Sequence, residues 1–241
     1  MISLRNVTWT YSHAARPSLR SADLRIAPGE CVVLCGASGC GKSTLLRTMN
    51  GLIPHFHEGG KLTGSVEVDG RATSQAELDD LGLITGTVLQ HPRRQFFTAT
   101  VEEELAFASE NFGFAPELIS ARVAEALSQL GPVLGPPGGA ARLRQLSGGV
   151  QQQVAIVAAT LHQPEVLLLD EPSSNLSDDA VHRLAATLSR LRADGLSIVV
   201  AEHRLSYLAG LADRVVALHD GRIEREWTGL EFRGVPDSEL A

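Results

Sequence analysis

Apolar and polar residues alternate along residues 2–11 (ISLRNVTWTY) and again along 19–29 (LRSADLRIAPG), the two-residue period of strands at an antiparallel edge. Residues 31–36 (CVVLCG) are a short apolar run closed by glycine, which reads as a buried strand. Over 42–52 (KSTLLRTMNGL) the spacing becomes helical, with a glycine near its end, and strand patterns return at 64–70 (GSVEVDG) and 83–90 (LITGTVLQ). From about Thr98 to Leu130 the pattern is helical again. Residues 101–113 (VEEELAFASENFG) open on three glutamates, which suits the positive end of a helix dipole, and 117–130 (ELISARVAEALSQL) carry apolar residues at helical spacing. Residues 131–142 (GPVLGPPGGAAR) read as a Pro/Gly-rich connector, followed by a helix after 146–149 (LSGG). Buried strands are predicted at 166–170 (VLLLD) and 197–203 (SIVVAEH), with a helix over 177–195 between them and a hairpin turning at Asp220-Gly221. Strands separated by helices and short glycine turns imply an α/β fold with a parallel sheet and crossovers. The helical stretch between Gln90 and Pro164 then stands beside that sheet as an insertion.

Length and charge narrow this picture. With 241 residues, 44% of them hydrophobic, the chain has enough material for one α/β domain with a small subdomain. A net charge of −7 with no long basic run argues against a nucleic-acid surface. No run of 18 apolar residues is present, and the N-terminal stretch lacks the apolar core of a signal peptide. The expectation is a cytoplasmic protein whose membrane role, if any, runs through a partner. The three cysteines, Cys31, Cys35 and Cys40, read as reduced thiols, with Cys31 and Cys35 on one face of a buried strand.

Residues 36–43 (GASGCGKS) fit G-x-x-x-x-G-K-[ST] in full, after a predicted strand and before a predicted helix. Glycines let the backbone turn its N–H groups inward on an anion, and the helix N-terminus adds positive potential. In such a loop Lys42 reaches the β- and γ-phosphates and Ser43 holds Mg²⁺. The alternative is a glycine-rich turn with no ligand. Cys40, beside Lys42 at a helix N-terminus, is expected to be reactive, its alkylation blocking nucleotide binding; it is otherwise a small residue that fits the turn.

Asp170 and Glu171 stand at the end of a buried apolar strand, where α/β sheets bind ligands. Asp170 suits a water-linked Mg²⁺ and Glu171 a general base, unless the pair only caps the next segment. Ser147 reads as a helix N-cap; with Gly148, Gly149 and the free helix N–H groups it is also a candidate second anion site.

A phosphate loop, Gln90 at a strand end, LSGG, LLLDEP and then His203 in AEH, in that order, resemble the ATP-binding-cassette (ABC) ATPases over nearly the whole chain. The resemblance implies a P-loop NTPase core with an N-terminal antiparallel β subdomain and an inserted helical subdomain at about residues 96–163, all within one domain spanning 1–241. It implies ATP and Mg²⁺ as the bound groups. The phosphates would sit on Gly36, Ala37, Ser38, Gly39, Cys40, Gly41, Lys42, Ser43 and Thr44. Tyr11 matches the aromatic that stacks on adenine, the alternative being an edge-strand core residue. Gln90 matches the glutamine that senses Mg²⁺ and the membrane partner, Asp170 the Mg²⁺-linked aspartate, Glu171 the catalytic glutamate and His203 the switch histidine. Ser147, Gly148 and Gly149 match the signature that closes over the ATP of a second, head-to-tail ATPase subunit.

Residues 50–70, 88–107 (VLQHPRRQFFTATVEEELAF) and 201–205 (AEHRL) look most like the ATPases of energy-coupling factor transporters, which import vitamins and transition-metal ions. That resemblance implies a location on the inner face of the cell membrane. It also implies a membrane coupling subunit docked near Gln90, Pro92, Gln95, Phe96 and Phe97. His55 and His57 read as loop residues rather than metal ligands. Four departures stand out. Arg93 and Arg94 follow Pro92 where an acidic residue is common, reversing the local charge. Val150, Gln153 and Ser177 replace the usual Gln or Glu, Arg and Asp, with Asp178 one place out of register. Because these changes serve the opposite site, a heterodimer or a natural fusion with two unequal sites is favoured, against drift at tolerant positions. Two other readings remain: an ABC ATPase of another transporter type, and a non-transport ABC protein acting on DNA, the ribosome or cofactor assembly. The residues after Trp227 leave little room for a further C-terminal dimerisation domain.

Overall fold

The structure is a computed structural model and describes residues 1–233. In its N-terminal part, strands β1 (Ile2–Thr10), β2 (Leu19–Ile26) and β3 (Cys31–Cys35) precede helices α1 (Lys42–Met49) and α2 (Leu52–His55). Strands β4 (Lys61–Val68) and β5 (Arg71–Ala72), helix α3 (Leu78–Ile84) and strand β6 (Thr85–Val88) follow. Three helices come next: α4 (Val101–Asn111), α5 (Pro116–Leu134) and α6 (Gly148–Thr160). The chain then runs through β7 (Val166–Asp170), α7 (Asp178–Ala193), β8 (Ser197–Ala201), β9 (Arg214–His219), β10 (Arg222–Thr228) and α8 (Gly229–Phe232).

The strands sort into two sheets. The first, in the order β2-β1-β4-β5, is antiparallel. The second runs β10-β9-β3-β8-β7-β6; β9, β3, β8, β7 and β6 are parallel, and β10 returns antiparallel on β9. The β9–β10 turn is tight because Asp220 and Gly221 both take positive φ, 46° and 78°, as a two-residue hairpin requires.

Two-residue alternation in the parallel strands feeds two cores. Val32, Leu34, Leu168 and Val199 face α1 and the antiparallel sheet. Cys31, Val33, Cys35, Leu167, Leu169 and Val200 face α6 and α7. Both faces are sealed, which is why these strands read as unbroken apolar runs. Burial pushes the thiols of Cys31 and Cys35 up to about 12 and about 11, so both stay protonated and inert. A third core lies among α4, α5 and α6, built from Val101, Leu105, Val123, Leu130 and Val154. Phe96 packs against the second and third cores together, so it is an internal joint between helices and sheet.

The structure departs from the sequence pattern at three places. Leu83 and Ile84 close helix α3 rather than opening β6, because Leu81 and Ile84 turn into the first core together. Residues 131–134 continue α5 through Pro132, since Leu130 and Leu134, one turn apart, are both buried in the third core. Strand β4 starts at Lys61, paired with Thr10, so the alternation visible from Gly64 marks only its second half.

Candidate functional site

The loop between β3 and α1 turns on glycines. Gly36, Gly39 and Gly41 have φ of 131°, 79° and 116°, and a Cβ on Gly36 would lie 2.2 Å from the Leu218 carbonyl oxygen. Only glycine fits there without strain. The helix that follows has no acidic residue in its first turn, so nothing offsets the positive potential of its free N–H groups. Ala37, Ser38 and Gly39 are exposed at the loop crest. Lys42, 5% exposed, folds its ammonium back over the loop and donates to the carbonyls of Gly36 (2.7 Å) and Ala37 (3.1 Å). A lysine held over a glycine-rich loop with an exposed crest suits a polyphosphate.

The parallel register brings the ends of three further strands, β6, β7 and β8, to this loop. Ser43 Oγ donates to Asp170 Oδ1 at 2.8 Å. Burial holds the Asp170 carboxyl above its usual range, partly offset by the Ser43 hydroxyl. A half-buried carboxylate paired with a hydroxyl is a hard oxygen donor set of the kind Mg²⁺ takes. Glu171 is held from two sides: Gln90 Nε2 donates to Oε2 at 2.7 Å, and His203 Nε2 lies 3.1 Å from Oε1. The same His203 nitrogen is 3.3 Å from Lys42 Nζ. Protonated, it donates to Glu171; bare, it accepts from Lys42. Glu171 also has φ of 46°, a strained value for a side-chain-bearing residue, of the kind that clusters at functional sites.

Other expected residues stand elsewhere. Tyr11 is half-buried just beyond β1. Its ring meets Trp9 and His57 edge-on at 5.5 and 5.1 Å, and its hydroxyl lies 3.2 Å from Thr44 Oγ1. His55 donates to the Thr73 carbonyl at 2.9 Å. Ser147 accepts from the Val150 N–H as N-cap of α6, Gly148 has open space, and Gly149 packs so closely on α7 that a Cβ would lie 2.7 Å from Ala180 Cβ. Among the described residues no hydrogen bond joins this turn to the phosphate loop. Ser177 accepts from the Ala180 N–H and so caps α7, doing there what an aspartate would do. Cys40 is 7% exposed and turned inward, 3.9 Å from Lys42 Nζ, so a bulky reagent reaches it only if the loop opens. Of the two expectations for this cysteine, its burial suits that of a small residue that fits the turn.

The segment after Gln90 is braced from within. Gln95 accepts from the Leu89 N–H (3.0 Å) and donates to the Thr87 carbonyl (2.9 Å). Beside it runs a largely apolar groove of about 560 Å³, walled by Leu52, Phe56, Leu89, Phe97, Phe107 and Phe112. Phe97 is 76% exposed and stacks on Phe107, with centroids 4.9 Å apart. Neither Arg93 nor Arg94 lines this groove; Arg93 Nε instead donates to Gln151 Oε1 on α6 at 3.0 Å. The charge reversal read from the sequence therefore does not face the groove, whose charged lining residues are Asp79 and Glu104.

Two carboxylates escaped the sequence reading. Glu104 is 6% exposed, and one of its oxygens accepts from the N–H groups of Phe97 and Thr98 and from the Thr98 hydroxyl. Glu202 is 3% exposed beneath His203. The only signal for Glu202 was its place directly after the predicted buried strand; for Glu104 it was its spacing of three from Val101 on the buried face of α4.

A phosphate loop opening α1, with strand-end carboxylates beside it on a parallel sheet, defines a P-loop nucleoside-triphosphate-binding fold. A family model described as ABC transporter matches residues 19–174. An ABC transporter ATP-binding protein of Treponema denticola is 36% identical over 245 residues, covering 100% of this chain and 48% of that protein. One of Streptomyces avermitilis is 44% identical over 224 residues, covering 90% of this chain and 38% of that protein. The chain thus spans less than half the length of these curated relatives. Among solved structures, CbiO1 of Clostridium perfringens, part of the ABC transporter complex CbiONQ, aligns with a TM-score of 0.83 at 25% identity, covering 98% of this chain and 92% of that one. The cassette MJ0796, a dimer in a post-hydrolysis state with ADP and Pi, aligns at 0.80 with 30% identity, covering 95% and 98%. The chain belongs to the ABC transporter family and is an ABC ATPase domain.

Proposed function

We propose that this chain binds ATP with Mg²⁺ and hydrolyses it, as one of two ATPase units that drive a membrane importer of the energy-coupling factor type. The observation that carries the chemistry is the chain of contacts Gln90–Glu171–His203–Lys42 with Ser43–Asp170 alongside. Loop N–H groups and Lys42 hold the phosphates, and Tyr11 offers its ring to the adenine. Ser43, Asp170 and Gln90 hold Mg²⁺, which when bound neutralises charge on the phosphates. Glu171, oriented by Gln90, takes a proton from a water whose oxygen bonds to the γ-phosphorus as the bond to the β–γ bridging oxygen breaks. His203 and Lys42 stand where negative charge builds on the γ-phosphoryl oxygens. Ser147, Gly148 and Gly149, which no described hydrogen bond ties to this loop, complete the site of the second unit. Each ATP then gains contacts only when two units close, so ATP shifts an open–closed equilibrium.

The groove supports the transporter reading. An apolar trough edged by exposed Phe56, Leu89 and Phe97, braced by Gln95 and adjoining Gln90, fits a short helix of a membrane subunit. Phe96 would carry movement of that helix into both cores, and Pro92 shapes the turn next to it. No described helix is long and apolar enough to cross a membrane, so the chain would sit on the inner face of the cell membrane through this contact. The similarity to CbiO1 supports the energy-coupling factor class, with a vitamin or metal ion as cargo. The greater length of the curated relatives leaves room for a second cassette on one chain, in keeping with unequal sites.

The test is ATP turnover by Glu171→Gln. Loss of a general base lowers kcat by roughly 10²- to 10⁴-fold, and the variant should accumulate as an ATP-bound dimer. Turnover equal to wild type would remove Glu171 from the role of base.

A further inference from the structure

We propose that Glu202 is a positioning residue that fastens the His203 segment to the loop after Glu171, so that the histidine and residues 173–178 move as one body. This rests on the hydrolytic reading of Glu171 and His203.

Glu202 lies one residue past β8, and its own N–H donates to Leu34 on β3 at 3.0 Å. Its two carboxylate oxygens divide between two segments. Oε1 accepts from the N–H groups of His203 (2.8 Å) and Arg204 (3.1 Å). Oε2 accepts from the Ser173 N–H (3.2 Å) and the Tyr207 hydroxyl (2.9 Å). Ser173 is 5% exposed and stands two residues after Glu171. Burial, and then the charge on Glu202, push the Tyr207 phenol far above its ordinary range, so it remains a donor. Four donors thus converge on one buried anion, where charge-assisted bonds are strongest and an orphaned donor costs most.

An outer tie runs parallel to this one. Arg204 Nη2 donates to Asp178 Oδ1 at 2.5 Å, at the first residue of α7. Those side chains are 45% and 80% exposed, so water screens the pair and the inner tie dominates. His203 sits between the two ties, one residue from each. The end of β8 and the loop after β7 are therefore fixed to each other on both sides of the histidine. A shift of residues 173–178 would pull His203 with it relative to the phosphate loop.

Glu202→Gln probes this atom by atom. The backbone N–H groups of His203 and Arg204 cannot turn, whereas the Tyr207 hydroxyl can rotate to accept. The new amide nitrogen therefore settles on the Oε2 side, keeping the His203 bonds and losing the Ser173 bond. The variant should lower kcat for ATP by roughly tenfold to a hundredfold, as small misplacements of a reacting group do, with KM within about twofold. In a His203→Ala background the same change should have no further effect on kcat. An unchanged kcat, a rise in KM alone, or an equal loss in the His203→Ala background would each overturn the proposal. Hydrogen exchange on the wild-type protein covers the case in which Glu202→Gln fails to fold. The amides of Ser173, His203 and Arg204 should open together, and separate opening would also overturn it. If Glu171→Gln and His203→Ala leave turnover intact, the fault lies with the hydrolytic reading rather than with Glu202.

Discussion

Glu104 gives a measurable handle on the groove, because one of its oxygens holds the backbone that presents Phe97. That oxygen accepts from the N–H groups of Phe97 and Thr98, both at 3.0 Å, and from the Thr98 hydroxyl at 2.9 Å. In Glu104→Ala the hydroxyl keeps its second acceptor, the Thr100 carbonyl at 3.2 Å, so two N–H groups lose their partner. A buried unpaired donor costs about 1–3 kcal/mol. Phe97 is largely exposed and Thr98 half-buried, so water repairs part of the loss, and the sum falls at about 2–4 kcal/mol. Converted to equilibria, that is about 30- to 1,000-fold less protection from hydrogen exchange at those two amides. Glu104→Gln retains an oxygen in the same place and gives up only the charge, at about 1 kcal/mol. Amide exchange of the three proteins, read by NMR or mass spectrometry, separates the cases. Unchanged protection at Phe97 and Thr98 in Glu104→Ala, or a Gln variant as damaged as the Ala variant, would refute the reasoning.

Two further outcomes are expected. Burial holds His162 below its ordinary 6.5, and the charge of Arg122 adds to the shift. The unfolded chain therefore takes up that proton first, and stability declines as pH falls from about 6.5 toward the folded value. Thermal unfolding between pH 7 and pH 5 should show a smaller decline for His162→Phe than for wild type. For Tyr11, loss of the ring in Tyr11→Ala should raise KM for ATP roughly 3- to 10-fold, the worth of one aromatic stack, while Tyr11→Phe stays near wild type. Equal effects of the two changes would move the role from the ring to the hydroxyl that meets Thr44.

The sequence by itself determined what is local. The phosphate loop is legible because strand, glycines, lysine and helix are contiguous, and its geometry follows from the φ angles only glycine tolerates. The α/β class, the Asp220-Gly221 hairpin and the buried β3, β7 and β8 follow from period and turn chemistry in the same way. The tertiary structure decided what depends on strand order. Lys42 meets His203 across 161 positions, and Gln90 meets Glu171 across 81. Only the order β3-β8-β7-β6 sets those strand ends side by side. The apolar pattern of a fully buried strand does not specify which neighbour it takes, because both faces look alike. The same limit hid the roles of charged residues. Glu102, Glu103 and Glu104 read identically as helix-start acids. Yet Glu103 completes a capping box with Thr100, while Glu104 turns inward to hold Phe97 and Thr98. Arg93 read as part of a reversal of local charge after Pro92, but the position of α6 gives it Gln151 as its partner. A residue's type fixes what it can bond to; the face on which a distant element packs fixes which bond it makes.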